Sequence, residues 1–308
     1  MRKLEIYIHI PFCVRKCAYC DFLSVAAGRE QRDRYVKTLL EEIRSGIPVN
    51  APYAEDGDYI VTSVFFGGGT PSVLPADQIA EIMGALRSQF RFSEDAEISL
   101  ECNPGTFGEL LPDDSGFPAC ELGGTSAAGT KPEEWFGCGI NRLSIGLQSA
   151  DNAELAQLGR IHTWEIFLES YEKARQAGFR NINIDLMSAL PGQTAASWEK
   201  TLRQVLQLAP EHISAYSLII EEGTPFYQKY HEDDLRRMNG AQPLYLSSEE
   251  EERKMYVLTG ALLDEAGFQH YEISNYARPG LECRHNIGYW QGTEYMGFGL
   301  GASSFLKY

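Results

Sequence analysis

Apolar residues recur along this chain at two alternating periods. Runs at period two, Leu4 to Ile10, Tyr59 to Phe66, Glu97 to Glu101, Asn141 to Leu147, Asn181 to Met187 and His212 to Leu218, read as strands. The segments between them carry apolar residues at three-four spacing and read as helices. In the first, Tyr35, Val36, Leu39, Leu40 and Ile43 form one stripe. The second runs from Ala76 to about Arg87, and the third from Trp164 to Ala177, where Gly178 supplies a left-handed cap. A fourth has Thr194 as its N-cap, buries Trp198, Leu202 and Val205, and ends before Pro210. A β-α unit repeated about six times predicts an α/β fold with right-handed crossovers and a parallel sheet. That sheet is either open and doubly wound or curled toward a barrel.

Either way, ligands gather at the carboxyl ends of the strands. The first strand leads into PFCVRKCAYC and the second into Gly67 to Pro71. The third ends in Glu101 and the fourth in Gln148, while the fifth holds Asp185 within an apolar run. Polar and glycine-rich features thus converge on one rim. After Leu218 the pattern changes. Glu221 to Pro243 is polar and turn-rich, and a helix begins near Ser248 with four acids in its first turn, well placed against the helix dipole, before Met255, Val257, Leu258 and Leu262. From Tyr271 to Phe305 the chain is rich in Gly, Tyr and Trp and reads as irregular or short-stranded. Gly105 to Gly139 holds Pro, Gly, Asp and Ser where a connecting helix belongs, and reads as a partly ordered surface insertion.

Composition narrows the partners. Among 308 residues, 27 Lys and Arg stand against 43 Asp and Glu, a net charge of −16, so nucleic acid and anionic membrane surfaces are poor expectations. No run reaches the roughly 18 apolar residues of a membrane span, and the N-terminus lacks a signal-peptide core, so a cytoplasmic location is expected. Seven cysteines, three of them within eight residues, do not look like a secreted disulfide framework.

Those three, Cys13, Cys17 and Cys20, follow the first strand directly. Three readings stand open: small buried hydrophobes, a zinc site completed by a distant residue such as Cys102, or a cubane iron-sulfur cluster whose fourth iron is left free. Cys102, Cys120, Cys138 and Cys283 match no compact motif and read as isolated thiols.

CxxxCxYC, with an aromatic before the last cysteine, resembles the signature of the radical S-adenosylmethionine superfamily, whose partial barrel has six β-α units. Together with FFGGGTPS, ECNP, INRLSIGLQS, LGRIH, NINIDLMSALPGQT and HNIGYW, it resembles one subfamily from Tyr7 to about Phe305. That subfamily comprises the heme chaperone HemW and the oxygen-independent coproporphyrinogen III oxidase. The oxidase has a further cysteine two positions after the third, where this chain has Phe22. The resemblance therefore leans to the chaperone branch.

What the resemblance implies is specific. Cys13, Cys17 and Cys20 are expected to hold a 4Fe–4S cluster whose open iron takes the methionyl group of S-adenosylmethionine. Tyr7 and Tyr19 match cofactor-contacting aromatics, with plain core aromatics as the alternative. Gly68, Gly69 and Thr70 resemble the methionine-binding turn. Glu101, Gln148, Arg160 and Asp185 match the remaining contacts, with a surface salt bridge as the other reading of Arg160. His285, Asn286, Tyr289 and Trp290 form the HNxxYW motif of the subfamily, either a heme site or a hydrogen-bonded structural histidine with its neighbours. His162 serves heme or substrate, or starts a helix from a polar loop. The implied organisation is a partial barrel over residues 1–220, with an atypical insertion at 105–139, and an extension over 221–308 that lacks most of a C-terminal domain. Heme and a heme-accepting apoprotein are the implied partners. The electron donor and oligomeric state are not legible.

Overall fold

The computed structural model describes residues 1–46, 59–107 and 130–307. Strand β1 (Arg2–Ile10) enters a loop that returns through the two-residue strands β2 (Phe12–Cys13) and β3 (Val25–Ala26), and α1 (Arg29–Arg44) follows. Then come β4 (Tyr59–Gly68), α2 (Ala76–Gln89), β5 (Phe92–Cys102), α3 (Pro132–Gly137), β6 (Arg142–Gln148), α4 (Asn152–Gln157) and α5 (Trp164–Gln176). The last β-α units are β7 (Ile182–Ser188), α6 (Ala195–Leu206) and β8 (His212–Ser217). An extension adds α7 (Pro225–Met238), α8 (Glu249–Glu265), β9 (Gln269–His270), β10 (Asn275–Ala277), α9 (Arg284–Gln291) and β11 (Glu294–Phe298).

The main sheet runs β11-β1-β4-β5-β6-β7-β8-β10-β9, and its strands from β1 to β8 are parallel neighbours in chain order. A doubly wound sheet would reverse its order at a switch point, whereas an unbroken sequence is that of a partial barrel. Curling follows from the lining of one cavity of about 180 Å³, which touches Tyr7 of β1 and Ser214 of β8 at once. Outward positions are apolar and covered by helices: Leu4, Ile6, Ile8, Leu143, Ile145, Leu147, Ile182, Ile184 and Leu186 have no exposed surface. Inward positions alternate with these and are polar. The register sets Glu5 beside Ser63 and Ser63 beside Glu97, then Ser99 beside Arg142, Glu101 beside Ser144, Ser144 beside Asn183, and Asp185 beside Ser214. Period-two geometry thus gives the barrel a polar lumen inside an apolar shell.

Three sequence expectations change. Glu221 to Pro243 is not merely turn-rich: α7 is capped by the Thr224 side chain, has Pro225 at its first position, and buries Phe226 and Tyr230. The stretch from Tyr271 to Phe305 does contain short strands, but it also forms α9, and β11 lies parallel beside β1. Within Gly105 to Gly139, Phe107 and Thr130 are bridged and α3 buries Trp135, so both ends of this segment belong to the core. Residues 108–129, including Cys120, lie outside the described residues.

The extension is packed onto the barrel through α6 and α8. Trp198 is fully buried, and its indole N–H donates to Thr259 Oγ1 at 2.8 Å. Trp198→Ala is expected to cost about 3–5 kcal/mol of unfolding free energy in a denaturant titration. Trp290→Ala, at a position 59% exposed, should stay within about 0.5 kcal/mol.

Candidate functional site

The cysteine loop is fixed at its middle. Ala18 N–H donates to Leu158 O at the end of α4, and Ala18 O accepts from Phe226 N–H at the start of α7. Arg15 Nη2 donates to Gly159 O at 2.5 Å. The three cysteines are all half-buried. Cys13 Sγ accepts from Thr70 Oγ1 at 3.5 Å, and Cys17 Sγ from Arg160 Nη1 at 3.4 Å. Burial pushes the Cys20 thiol up, and the nearby Cys17 and Cys13 add to this. Among the described residues no three His, Cys, Asp or Glu side chains are arranged to hold a metal ion. A cubane seats each thiolate on a different iron, and so asks for a wider triangle of sulfurs than a single ion does.

Beside the loop, β4 ends in the glycine turn. Gly69 N–H donates to Ile10 O and Thr70 N–H to Phe12 O, which ties the turn to the start of the cysteine loop. Gly68 has φ +112, and a Cβ there would lie 2.6 Å from the His9 ring; at Gly69 it would lie 2.7 Å from Phe12 O. Only glycine fits this close approach. Arg160 is buried, which removes the surface salt-bridge reading. Its Nη2 donates to Asn103 Oδ1 at 2.5 Å and Gly146 O at 2.6 Å, while its buried Nε has no acceptor among the described residues. Gln148, at the end of β6, has φ +75, a strained conformation for a residue with a Cβ. Tyr19 is half-buried against Phe226, with ring centroids 6.4 Å apart, and it also faces Cys17 and Arg160.

Tyr7, Glu101 and Asp185 face the lumen cavity. Tyr7 OH lies 3.2 Å from His9 Nδ1, and its ring stacks on Phe65. Glu101 Oε2 accepts from Gly68 N–H at 3.2 Å, so one hydrogen bond joins the lumen to the glycine turn. Burial first, and then Asp185, pushes the Glu101 carboxyl up to about 8 against the pull of Gly68 N–H and Arg142. Asp185 is raised as well, by burial, although it accepts from Asn183 Nδ2 at 2.7 Å and Ser144 Oγ at 3.1 Å.

The HNxxYW residues separate. His285 is buried on the lumen floor: its Nδ1 lies 3.0 Å from Ser63 Oγ, its Nε2 has no hydrogen-bond partner among the described residues, and burial, aided by Arg142, lowers it to about 3. Its Nδ1 is 3.7 Å from Glu5 Oε2, yet burial and Glu97 raise Glu5 to about 8, so near neutral pH the contact joins two uncharged groups. Asn286 Nδ2 donates to Tyr271 OH at 3.3 Å, Tyr289 packs edge-on against His285, and Trp290 points to solvent. His162 is buried rather than on a polar loop, with Nε2 3.2 Å from Leu147 O. Cys102 and Cys283 are buried, with Cys102 Sγ donating to Leu100 O and Cys283 Sγ to Glu97 Oε1; Cys138 Sγ donates to Ala76 O.

Two groups therefore form. Cys13, Cys17, Thr70, Arg160 and Asn103 make the upper one; Tyr7, Glu101, Asp185 and His285 line the lower one. Sequence reading missed Asn103, Arg142, Ser144 and Asn183. For the three strand residues the signal was period-two polarity inside otherwise apolar runs, and Asn103 follows directly on such a run.

Residues 7–205 match the model of the Radical SAM superfamily. The heme chaperone HemW of Lactococcus lactis subsp. lactis is 35% identical over 300 residues, covering 97% of this chain and 69% of that protein. HemW of Bacillus subtilis is 34% identical over 301 residues, 97% of this chain and 70% of that protein. Among solved structures, coproporphyrinogen III oxidase HemN from Escherichia coli superposes with a TM-score of 0.74 at 26% identity, covering 99% of this chain and 65% of that one. The chain thus spans about two-thirds of the length of these proteins.

The raised lumen carboxyls have a signed consequence. A carboxyl whose folded-state pKa exceeds its unfolded value stabilises the fold below the unfolded value, and that contribution is lost as pH rises through the folded one. For Glu5 the window runs from 4.5 to about 8. Glu5→Gln should match the parent in unfolding free energy at the acid end and exceed it by about 2–4 kcal/mol above the window. A pH series of denaturant titrations on both proteins checks this.

Proposed function

The chain belongs to the radical S-adenosylmethionine superfamily and, within it, to the heme chaperone HemW family; from that membership we propose that it holds a 4Fe–4S cluster and S-adenosylmethionine in the service of heme trafficking. Cys13, Cys17 and Cys20 would ligate the cluster, which when bound would supply one-electron donor chemistry toward a sulfonium. The single observation that carries this reading is the pairing of the cysteine loop with a glycine turn too tight for any Cβ.

The remaining residues suit the ligand's charges. Arg160 Nε is a buried donor without an acceptor among the described residues, suited to a carboxylate. Glu101 and Asp185 are buried carboxyls kept high by desolvation, and an ammonium or sulfonium nearby would favour their ionised forms. Gln148 lies on the same rim, and Tyr7 in the same lumen. Heme fits elsewhere than the lumen. A lumen cavity of about 180 Å³ is too small to enclose a whole porphyrin macrocycle, and His285 is buried on its floor. This favours the structural reading of His285; Tyr289 and Trp290 are the exposed members of its motif.

Tetrapyrrole oxidation, the activity named for the HemN structure, is the second reading, and Phe22 in place of a further cysteine speaks against it. Anaerobically reconstituted protein should show the broad visible absorbance of an iron-sulfur cluster, and Cys17→Ala should lose it, because two thiolates cannot hold a cubane. The reduced protein should bind added heme and leave coproporphyrinogen III intact in the presence of S-adenosylmethionine. Loss of carboxyl groups from the porphyrinogen would overturn the chaperone reading.

A further inference from the structure

Asn103 stands just after β5, far from the cysteine loop in sequence, yet its amide touches two side chains that donate to cluster-loop sulfurs, Thr70 and Arg160. Its Oδ1 accepts from Arg160 Nη2 at 2.5 Å, and its Nδ2 donates to Thr70 Oγ1 at 2.8 Å. Arg160 Nη1 in turn donates to Cys17 Sγ, and Thr70 Oγ1 to Cys13 Sγ. We propose that Asn103 is a positioning residue that sets the reduction potential of the cluster by aiming one donor at each of these two sulfurs. The inference rests on the cluster reading above.

The direction of the network follows from donor chemistry. A guanidinium only donates, so the amide must turn its oxygen to Arg160 and its NH₂ to Thr70. A threonine hydroxyl has a single proton. With Nδ2 donating to the hydroxyl oxygen, that proton is free to point at Cys13 Sγ. The residue is itself held on both sides: Asn103 N–H donates to Ser72 Oγ at 3.3 Å, and Asn103 O accepts from Thr106 N–H at 3.1 Å and Thr106 Oγ1 at 2.7 Å. Gly146, below it, has no room for a side chain, since a Cβ would lie 3.1 Å from Asn103 Oδ1 and 3.3 Å from Arg160 Nη2. Hydrogen bonds to cluster sulfurs stabilise the reduced, more negative state and so raise the potential.

The test compares wild type, Asn103→Ala, Asn103→Asp and Thr70→Val after anaerobic reconstitution, reading iron and sulfide content and the midpoint of a redox titration followed by electron paramagnetic resonance. Asn103→Ala should retain iron and shift to a more negative potential than wild type, by more than Thr70→Val, which loses only the donor to Cys13. Asn103→Asp accepts from both neighbours, draws the Thr70 proton away from Cys13, and should also shift negative. Equal potentials in fully loaded wild type and Asn103→Ala would overturn the inference while leaving the cluster reading intact. Wild type that stays free of iron would overturn both. Should Asn103→Ala fail to load, Thr70→Val decides: a lower potential supports the network, and an unchanged one refutes it.

Discussion

One guanidinium governs the electrostatics of the barrel. Arg142 is buried at the centre of the lumen, with Nη1 3.5 Å from Ser99 Oγ, and it acts on Glu101, Asp185, His212 and His285. Its reach is limited. Charges about 6 Å apart at an effective dielectric near 20 gain about 3 kcal/mol, while desolvating each ion costs several kcal/mol. Burial therefore wins over Arg142 at Glu101, which rises to about 8, and at Glu5 burial and Glu97 outweigh Lys3 and carry the carboxyl to about 8 as well. At the histidines burial and Arg142 act in the same direction, and His285 falls to about 3. The lumen thus keeps a fixed cation in the middle and acids that burial holds toward their neutral forms.

The extension belongs to this arrangement. β11 pairs with β1, and α9, just before it, lies against the lumen floor. Gly288 is the point of closest approach, since a Cβ there would overlap the Glu5 carboxyl. His285, Gly288 and Tyr289, at spacings of three and four, share the face of α9 that meets Glu5 and the cavity, whereas Trp290 is turned out. The HNxxYW spacing is therefore explained first as the face of a plug.

Much of this architecture is legible in the amino-acid sequence. The six parallel strands and the helices capped by Thr194 and Ser248 follow from period and capping chemistry; the cysteine loop, the glycine turn and Gln148 do lie at strand ends, whereas Tyr7 and Asp185 sit mid-strand and face the lumen. The helix α7 is hidden by its charge, although Thr224-Pro225 is an N-cap followed by a first-turn proline. β11 is hidden because its partner lies almost the whole chain away, and pairing at that distance leaves no local mark. In the site, motifs name the ligand-type residues but pass over Asn103 and Arg142. An asparagine beside a turn and an arginine at a strand start are ordinary on surfaces, and only the curl of the sheet makes them interior.

The two halves of the site meet at the glycine turn. Gly68 N–H donates to Glu101 in the lumen, while the next two N–H groups, of Gly69 and Thr70, donate to Ile10 O and Phe12 O at the foot of the cysteine loop. Glu101 can hold that N–H as an acceptor whether or not it is ionised, but the bond strengthens when it is. The same turn carries Thr70, whose hydroxyl donates to Cys13 Sγ. Glu101 in the lumen and the hydroxyl at the Cys13 sulfur thus lie at the two ends of three consecutive residues, Gly68, Gly69 and Thr70.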